Sequence, residues 1–173
     1  MLKLSLSQMW NDTDTPLAYL ITFRCYGTWL HGDERGSVDR SHRRFGSPYI
    51  PSDESWRRRE SQSLKSEPLT LSEGQRTSVE AAVRETCDLR GWRLRALNVR
   101  TNHVHAVVSA GVTRPGTVLN ALKANATRRL RHEGLWEREH SPWVDGGSHK
   151  YLWDDLGVKR AIVYVLEGQG GDL

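Results

Sequence analysis

His103 and His105 are separated by one residue inside the run HVHAVVSA (103–110), whose β-branched and small apolar composition suits a strand. Side chains alternate faces along a strand, so both imidazoles leave one side while Val104 points to the other, where a core would lie. Two parallel imidazoles make a bidentate site for a divalent metal, with further donors required from elsewhere in the chain. A metal so placed would polarise a phosphodiester as a Lewis acid. An HxH triplet also arises by chance, as two satisfied core or surface histidines, so its surroundings decide its weight.

The second chemical candidate is a tyrosine. The chain has five: Tyr19, Tyr26, Tyr49, Tyr151 and Tyr164. The first two belong to or follow an apolar strand and read as packing residues. Tyr49 falls in a loop-rich stretch and Tyr151 in a short strand. Tyr164 lies on the last amphipathic segment, where Val158, Ile162 and Val165 form one stripe at about 100° per residue. Tyr164 sits roughly 120° from that stripe, sharing its face with Gly157, Arg160, Ala161 and Glu167. A tyrosine so presented can act as a covalent nucleophile. It is a weak one at its usual pKa near 10, so a metal on the phosphate and a nearby arginine such as Arg160 would help it. The plainer reading is an amphipathic tyrosine at a helix–helix or dimer contact.

These residues need a scaffold. Leu17 to Arg24 (LAYLITFR) reads as a strand, whereas residues 31–68 are crowded with Ser, Pro, Gly, Asp and Arg and read as a loop-rich insertion, partly disordered. Within the insertion, Trp56-Arg57-Arg58-Arg59 could touch nucleic acid, but a solvated loop explains it as well. Ser72 is a plausible N-cap for a helix with Val79, Ala82, Val83, Thr86 and Leu89 on its buried stripe, ended by Gly91. Trp92 to Arg100 follows as a strand, with Trp92, Leu94, Ala96 and Asn98 alternating against Arg93, Arg95 and Leu97. Thr101-Asn102 joins it to the histidine strand as a hairpin. A helix opening at Pro115 or Thr117 buries Leu119, Leu122, Ala126 and Leu130 and is ended by Gly134. Ser148 to Trp153 suits a short strand. A last helix begins at Asp154-Asp155, where carboxylates complement the dipole, and runs to about Glu167. Antiparallel strands with interposed helices predict an α+β layered fold, expected as one domain over residues 1–173 with the insertion inside it.

Net charge is +4. The cations are concentrated: no Asp or Glu occurs from Leu89 to His132, a stretch holding nine Lys and Arg residues. Such a block suggests a polyanion partner, since each cation near a phosphate releases bound counterions. The candidate contacts are Arg95, Arg100, Lys123, Arg128, Arg129 and Arg131, with Arg160 beside the tyrosine. No apolar run approaches the roughly 20 residues that span a bilayer, so no membrane association is expected. Two isolated cysteines, Cys25 and Cys87, make neither a metal pair nor a disulfide framework, and a cytoplasmic location is the default.

Asn102-His103-Val104-His105 resembles the HUH motif (histidine, hydrophobic, histidine) of single-strand nucleases, and Tyr164-Val165-Leu166-Glu167 resembles the one-tyrosine signature of IS200-like and REP-associated tyrosine transposases. The opening run Leu20 to Leu30 and the run Ser148 to Asp154 are similar to a subgroup of these proteins. The resemblance spans most of the chain outside 31–68. It implies a ferredoxin-like antiparallel sheet with helices packed on one face. It also implies a homodimer, Mg²⁺ or Mn²⁺, and single-stranded DNA hairpins as substrate. Cleavage and strand transfer would pass through a 5′-phosphotyrosine on Tyr164. One position departs from the pattern. The family places Gln or Asn four residues after the tyrosine as a metal ligand, and here that residue is Gly168. Gln169 is the favoured substitute, with Glu167 as the alternate.

Other classes fit less well. A histidine-triad hydrolase needs a third alternating histidine, and position 107 is Val. A TIM-barrel hydrolase needs about 250 residues. A non-catalytic module gripping structured single strands is the serious alternative. An interaction domain with a core and partner surface built by the seven tryptophans is a further one.

Overall fold

Eight elements follow one another: β1 (Ala18–Arg24), α1 (Glu54–Gln62), α2 (Glu73–Leu89), β2 (Arg93–Val99), β3 (His103–Ser109), α3 (Pro115–His132), β4 (Ser148–Leu152) and α4 (Asp155–Leu166). This computed structural model describes residues 14–28 and 53–167. Trp29 and Leu30 of the opening run, residues 31–52 of the insertion, and Gly168 and Gln169 lie outside the described residues.

The strands form one sheet in the order β2-β3-β1-β4, with every neighbouring pair antiparallel. With α2 crossing from β1 to β2 and α3 from β3 to β4, this is the ferredoxin-like α+β arrangement. Tyr19, Ile21 and Phe23 of β1 and Val104, Ala106 and Val108 of β3 face the main core, where Val79, Val83, Leu122 and Leu130 of α2 and α3 cover them. Trp92, Trp136 and Trp143 are buried in that core, and the Phe23 and Trp143 rings meet edge to face at 4.9 Å. The helix layer expected on one face is α2 with α3. α4 lies against the opposite face, where Val158, Ala161 and Val165 pack on Ala18, Ala96 and Val107.

Local chemistry explains the boundaries. Ser72 caps α2 in a capping box, its hydroxyl accepting from Gln75 N while the Gln75 side chain accepts from Ser72 N. Asp154 caps α4, its carboxylate accepting from Gly157 N at 2.7 Å.

The structure corrects four expectations. Part of the stretch read as loop is the helix α1. It is polar all round, so no apolar period marks it. Asp53 Oδ1 accepts from Trp56 N, and Arg58 pairs with Glu54 one turn back. Leu89, expected on the buried stripe of α2, is 78% exposed at the final residue of the helix, and Cys87 takes the buried position instead. Ala161, expected beside Tyr164 on the outer face, is buried next to Val158. Strand β2 does not alternate evenly. The register shifts between Leu94 and Ala96, leaving Arg95 as an extra residue. This bulge places Leu94, Leu97 and Val99 against the main core and Ala96 against α4, with Asn98 opposite His105.

Among the described residues, no helix is long and apolar enough to cross a membrane.

Candidate active site

β3 presents Val104, Ala106 and Val108 to the main core, so His103, His105 and Val107 leave the α4 face. The two imidazole centroids are 4.6 Å apart. Val104 is fully buried on the far side, and its packing fixes the orientation of both histidines.

Each ring is held through Nδ1. Asn102 Oδ1 lies 2.6 Å from His103 Nδ1, and a carbonyl oxygen only accepts, so Nδ1 is the donor there and Nε2 is the nitrogen left for a metal. Thr22 Oγ1 lies 2.7 Å from His105 Nδ1. The hydroxyl can accept from Nδ1–H there, which again frees Nε2. Thr22 is directly opposite His105 in the β1–β3 ladder. His105 is only 6% exposed, and burial pushes its pKa down to about 3, aided by the nearby charges of His103, Arg24 and Arg100. The ring is therefore neutral over the physiological range, the form a metal binds.

Tyr164 meets this pair within one chain. Its ring centroid lies 5.5 Å from that of His105, edge to face, while the side chain is 38% exposed. α4 is anchored beside it, because Asn98 Nδ2 donates to Val165 O at 2.9 Å. The phenol is thus neither sealed in the interior nor remote from the imidazoles.

Arg24 was not singled out by sequence. It pairs with His103 across the ladder and, two residues from Thr22, leaves the same face. The period-two alternation of Thr22 and Arg24 along β1 was the available signal. With Arg100 it makes the surroundings of the histidines electropositive. Gly147 fits tightly behind β1: a Cβ there would lie 2.8 Å from Thr22 O and 2.9 Å from Leu119.

The other cations expected to touch a polyanion are scattered. Lys123 donates to Val144 O and Gly146 O, pinning the segment before β4. Arg128 pairs with Glu85 and Arg129 with Glu133, while Arg131 donates to Glu139 O. All four belong to α3, on the sheet face opposite the histidines. Arg95 donates to Ser109 Oγ at the far end of the sheet. Arg160 is exposed on α4, one turn before Tyr164.

Among the described residues no three His, Cys, Asp or Glu side chains are gathered into a metal-sized group, and Glu167 is exposed at the end of α4. Gln169 lies outside the described residues. Neither thiol is a nucleophile candidate, since burial pushes Cys25 up to about 12 and Cys87 up to about 11. A cleft of about 540 Å³ between 68–70 and 134–138 contains none of the three candidate side chains.

The fold and site together define the class: a ferredoxin-like α+β protein with paired histidines on one strand and a tyrosine-bearing helix laid beside them. The family model described as "Transposase IS200 like" matches residues 64–155, and the chain belongs to that family, whose activity is DNA transposition. The match contains His103 and His105 and ends before Tyr164. A solved structure from Deinococcus radiodurans R1, provisionally assigned there as a transposase, is similar at 14% identity and a TM-score of 0.49, covering 94% of this chain and 97% of that one. No curated protein matches.

Proposed function

We propose that this chain cleaves single-stranded DNA and transfers the strand through a covalent 5′-phosphotyrosine on Tyr164, with Mg²⁺ or Mn²⁺ bound at His103 and His105. The observation that carries the reading is the approach of the exposed Tyr164 ring to the buried His105 ring within one chain.

The donor set suits such an ion. The two imidazoles are oriented through Nδ1 by Thr22 and Asn102, leaving Nε2 for coordination. When bound, the ion supplies Lewis-acid polarisation of the scissile phosphodiester. The chain's own residues do the rest. Arg24 and Arg100 attract the phosphate, and Asn98 holds the helix that aims the phenol. Tyr164 Oη attacks phosphorus, the bond to the 3′ oxygen breaks, and the phenol proton is balanced by protonation of that oxygen. The 5′ phosphate stays on the tyrosine. A 3′-OH from another strand reverses the step, and no high-energy cofactor is consumed because one phosphodiester is exchanged for another. Hairpin-bearing single strands are the proposed substrate. A homodimer is the proposed assembly, although one chain already gathers the three side chains.

The test uses a labelled hairpin oligonucleotide with Mn²⁺. The expected product is a denaturation-resistant protein–DNA adduct, lost in Tyr164→Phe and reduced at least tenfold in His103→Ala and His105→Ala. Retarded migration without an adduct under any metal would make the protein a binding module instead. Unimpaired cleavage by Tyr164→Phe would remove the tyrosine from the mechanism.

A further inference from the structure

Strand β4 is an edge of the sheet, and its two faces are chemically unlike. Lys150 and Leu152 follow Leu20 and Ala18 onto the α4 side, where Leu152 packs. His149 and Tyr151 follow Ile21 and Tyr19 onto the other side. Tyr151 lies edge-on to Tyr19 at 5.5 Å, which fixes its plane, and Tyr19 Oη is itself anchored by donation to Thr113 O. Trp153, just past the strand, continues the row: its ring is parallel to Tyr151 within 8° at 5.9 Å. His149 stands 6.0 Å from Tyr151. These rings have not been spent on packing, since Tyr151 is 49% and Trp153 44% exposed.

We propose that the His149–Tyr151–Trp153 row is a stacking platform for unpaired nucleobases of a DNA strand. The observations select a nucleic acid over a protein contact. The parallel, pre-oriented faces of Tyr151 and Trp153 match the planar bases, which stack on such rings whatever their sequence, while His149 stands edge-on to Tyr151 at the end of the row. Lys150 leaves the same strand on its opposite side, and Lys159 and Arg160 are exposed on the following helix, so a strand lying along this edge meets rings for its bases and cations for its phosphates. The platform lies near the site but on the other face of the sheet. Ser148 pairs with Thr22, and Thr22 pairs with His105, so the backbone at His149 is about two strand spacings, roughly 10 Å, from the histidine strand, and a DNA strand reaching both would pass round the β4 edge. From there the row runs up the edge, with successive ring centroids 6.0 and 5.9 Å apart. This inference rests on the proposed DNA substrate and names the residues that would hold the flanking unpaired nucleotides.

The test is fluorescence anisotropy of a labelled single-stranded oligonucleotide with the full chain in EDTA, where no cleavage competes. Trp153→Ala should weaken binding by about tenfold or more, and Trp153→Phe should restore most of it. The dependence of affinity on salt should stay as in the wild type, because no charge is removed. An abasic site scanned along the oligonucleotide should abolish the effect of Trp153→Ala at one register. Tyr151→Ala should act in the same direction, but it also frees Tyr19, so Trp153 carries the decision. Wild-type affinity in Trp153→Ala would overturn the proposal. So would an equal loss on every abasic oligonucleotide, or a changed oligomeric state with unchanged DNA affinity. If the ring dependence holds while Mn²⁺ yields no adduct, the cleavage reading falls and the platform stands.

Discussion

Acidifying the metal-free protein from about pH 8 to about pH 5 should remove about 2 kcal/mol of folding stability through His105 alone. The folded state binds its proton only near 3, whereas an unfolded chain binds it at the ordinary value of 6.5. Protons therefore favour the unfolded state, and the contribution of this histidine is fully present above 6.5 and lost progressively as pH falls below it. At about pH 5 the unfolded histidine is roughly 97% protonated and the folded one about 1%, which gives the stated difference at about 1.4 kcal/mol per pH unit. The discount for exposure is small, since the ring is 6% exposed. Urea unfolding in EDTA at the two pH values measures it, with His105→Gln as the comparison. The variant's stability should change less over the same interval, by about the amount calculated. An equal acid loss in His105→Gln and wild type would show that the buried imidazole is not the titrating group and would refute the reasoning.

Thr22→Val removes the hydroxyl at Nδ1 of His105; it should weaken Mn²⁺ binding about tenfold or more by calorimetry while leaving the fold cooperative. Lys123→Met strands the carbonyls of Val144 and Gly146; it should cost about 1–3 kcal/mol in chemical unfolding. Ser72→Ala breaks the capping box of α2; it should cost about 1 kcal/mol, seen as a fall in Tm of about 2–4 °C. Gly147→Ala should displace β1 at Thr22, since its Cβ would stand 2.8 Å from the Thr22 carbonyl oxygen, and should lower metal affinity along with stability.

The histidine pair was legible because side-chain alternation on a strand is nearly independent of tertiary context, and Val104 marked which face was inward. The exposure of Tyr164 was legible for the same reason on a helical period. What lay beyond local rules was missed. Thr22 and Arg24 reach the site through ladder pairing across about 80 positions, and no local pattern states that register. α1 lacks an apolar stripe, so its helicity rests on a cap and one ion pair that composition conceals. The basic block at 89–132 was real as composition, but its α3 members are engaged with Glu85, Glu133 and backbone carbonyls away from the histidines. Ala161 and Leu89 were misplaced by extending an ideal helical wheel to residues whose neighbours decide burial.

The bulge at Arg95 makes one strand position expendable in a way its neighbours are not. Excising Arg95 would leave Leu94 opposite Val108 and Ala96 opposite Val107, with the pairings on either side still in phase. Excising a paired residue such as Leu97 would turn over the rest of the strand, carrying Val99 out of the interior and swinging Asn98 off the carbonyl of Val165. Length variation in this strand is thus tolerable at a single supernumerary link, and between that link and Asn98 it would unlatch the helix that carries Tyr164.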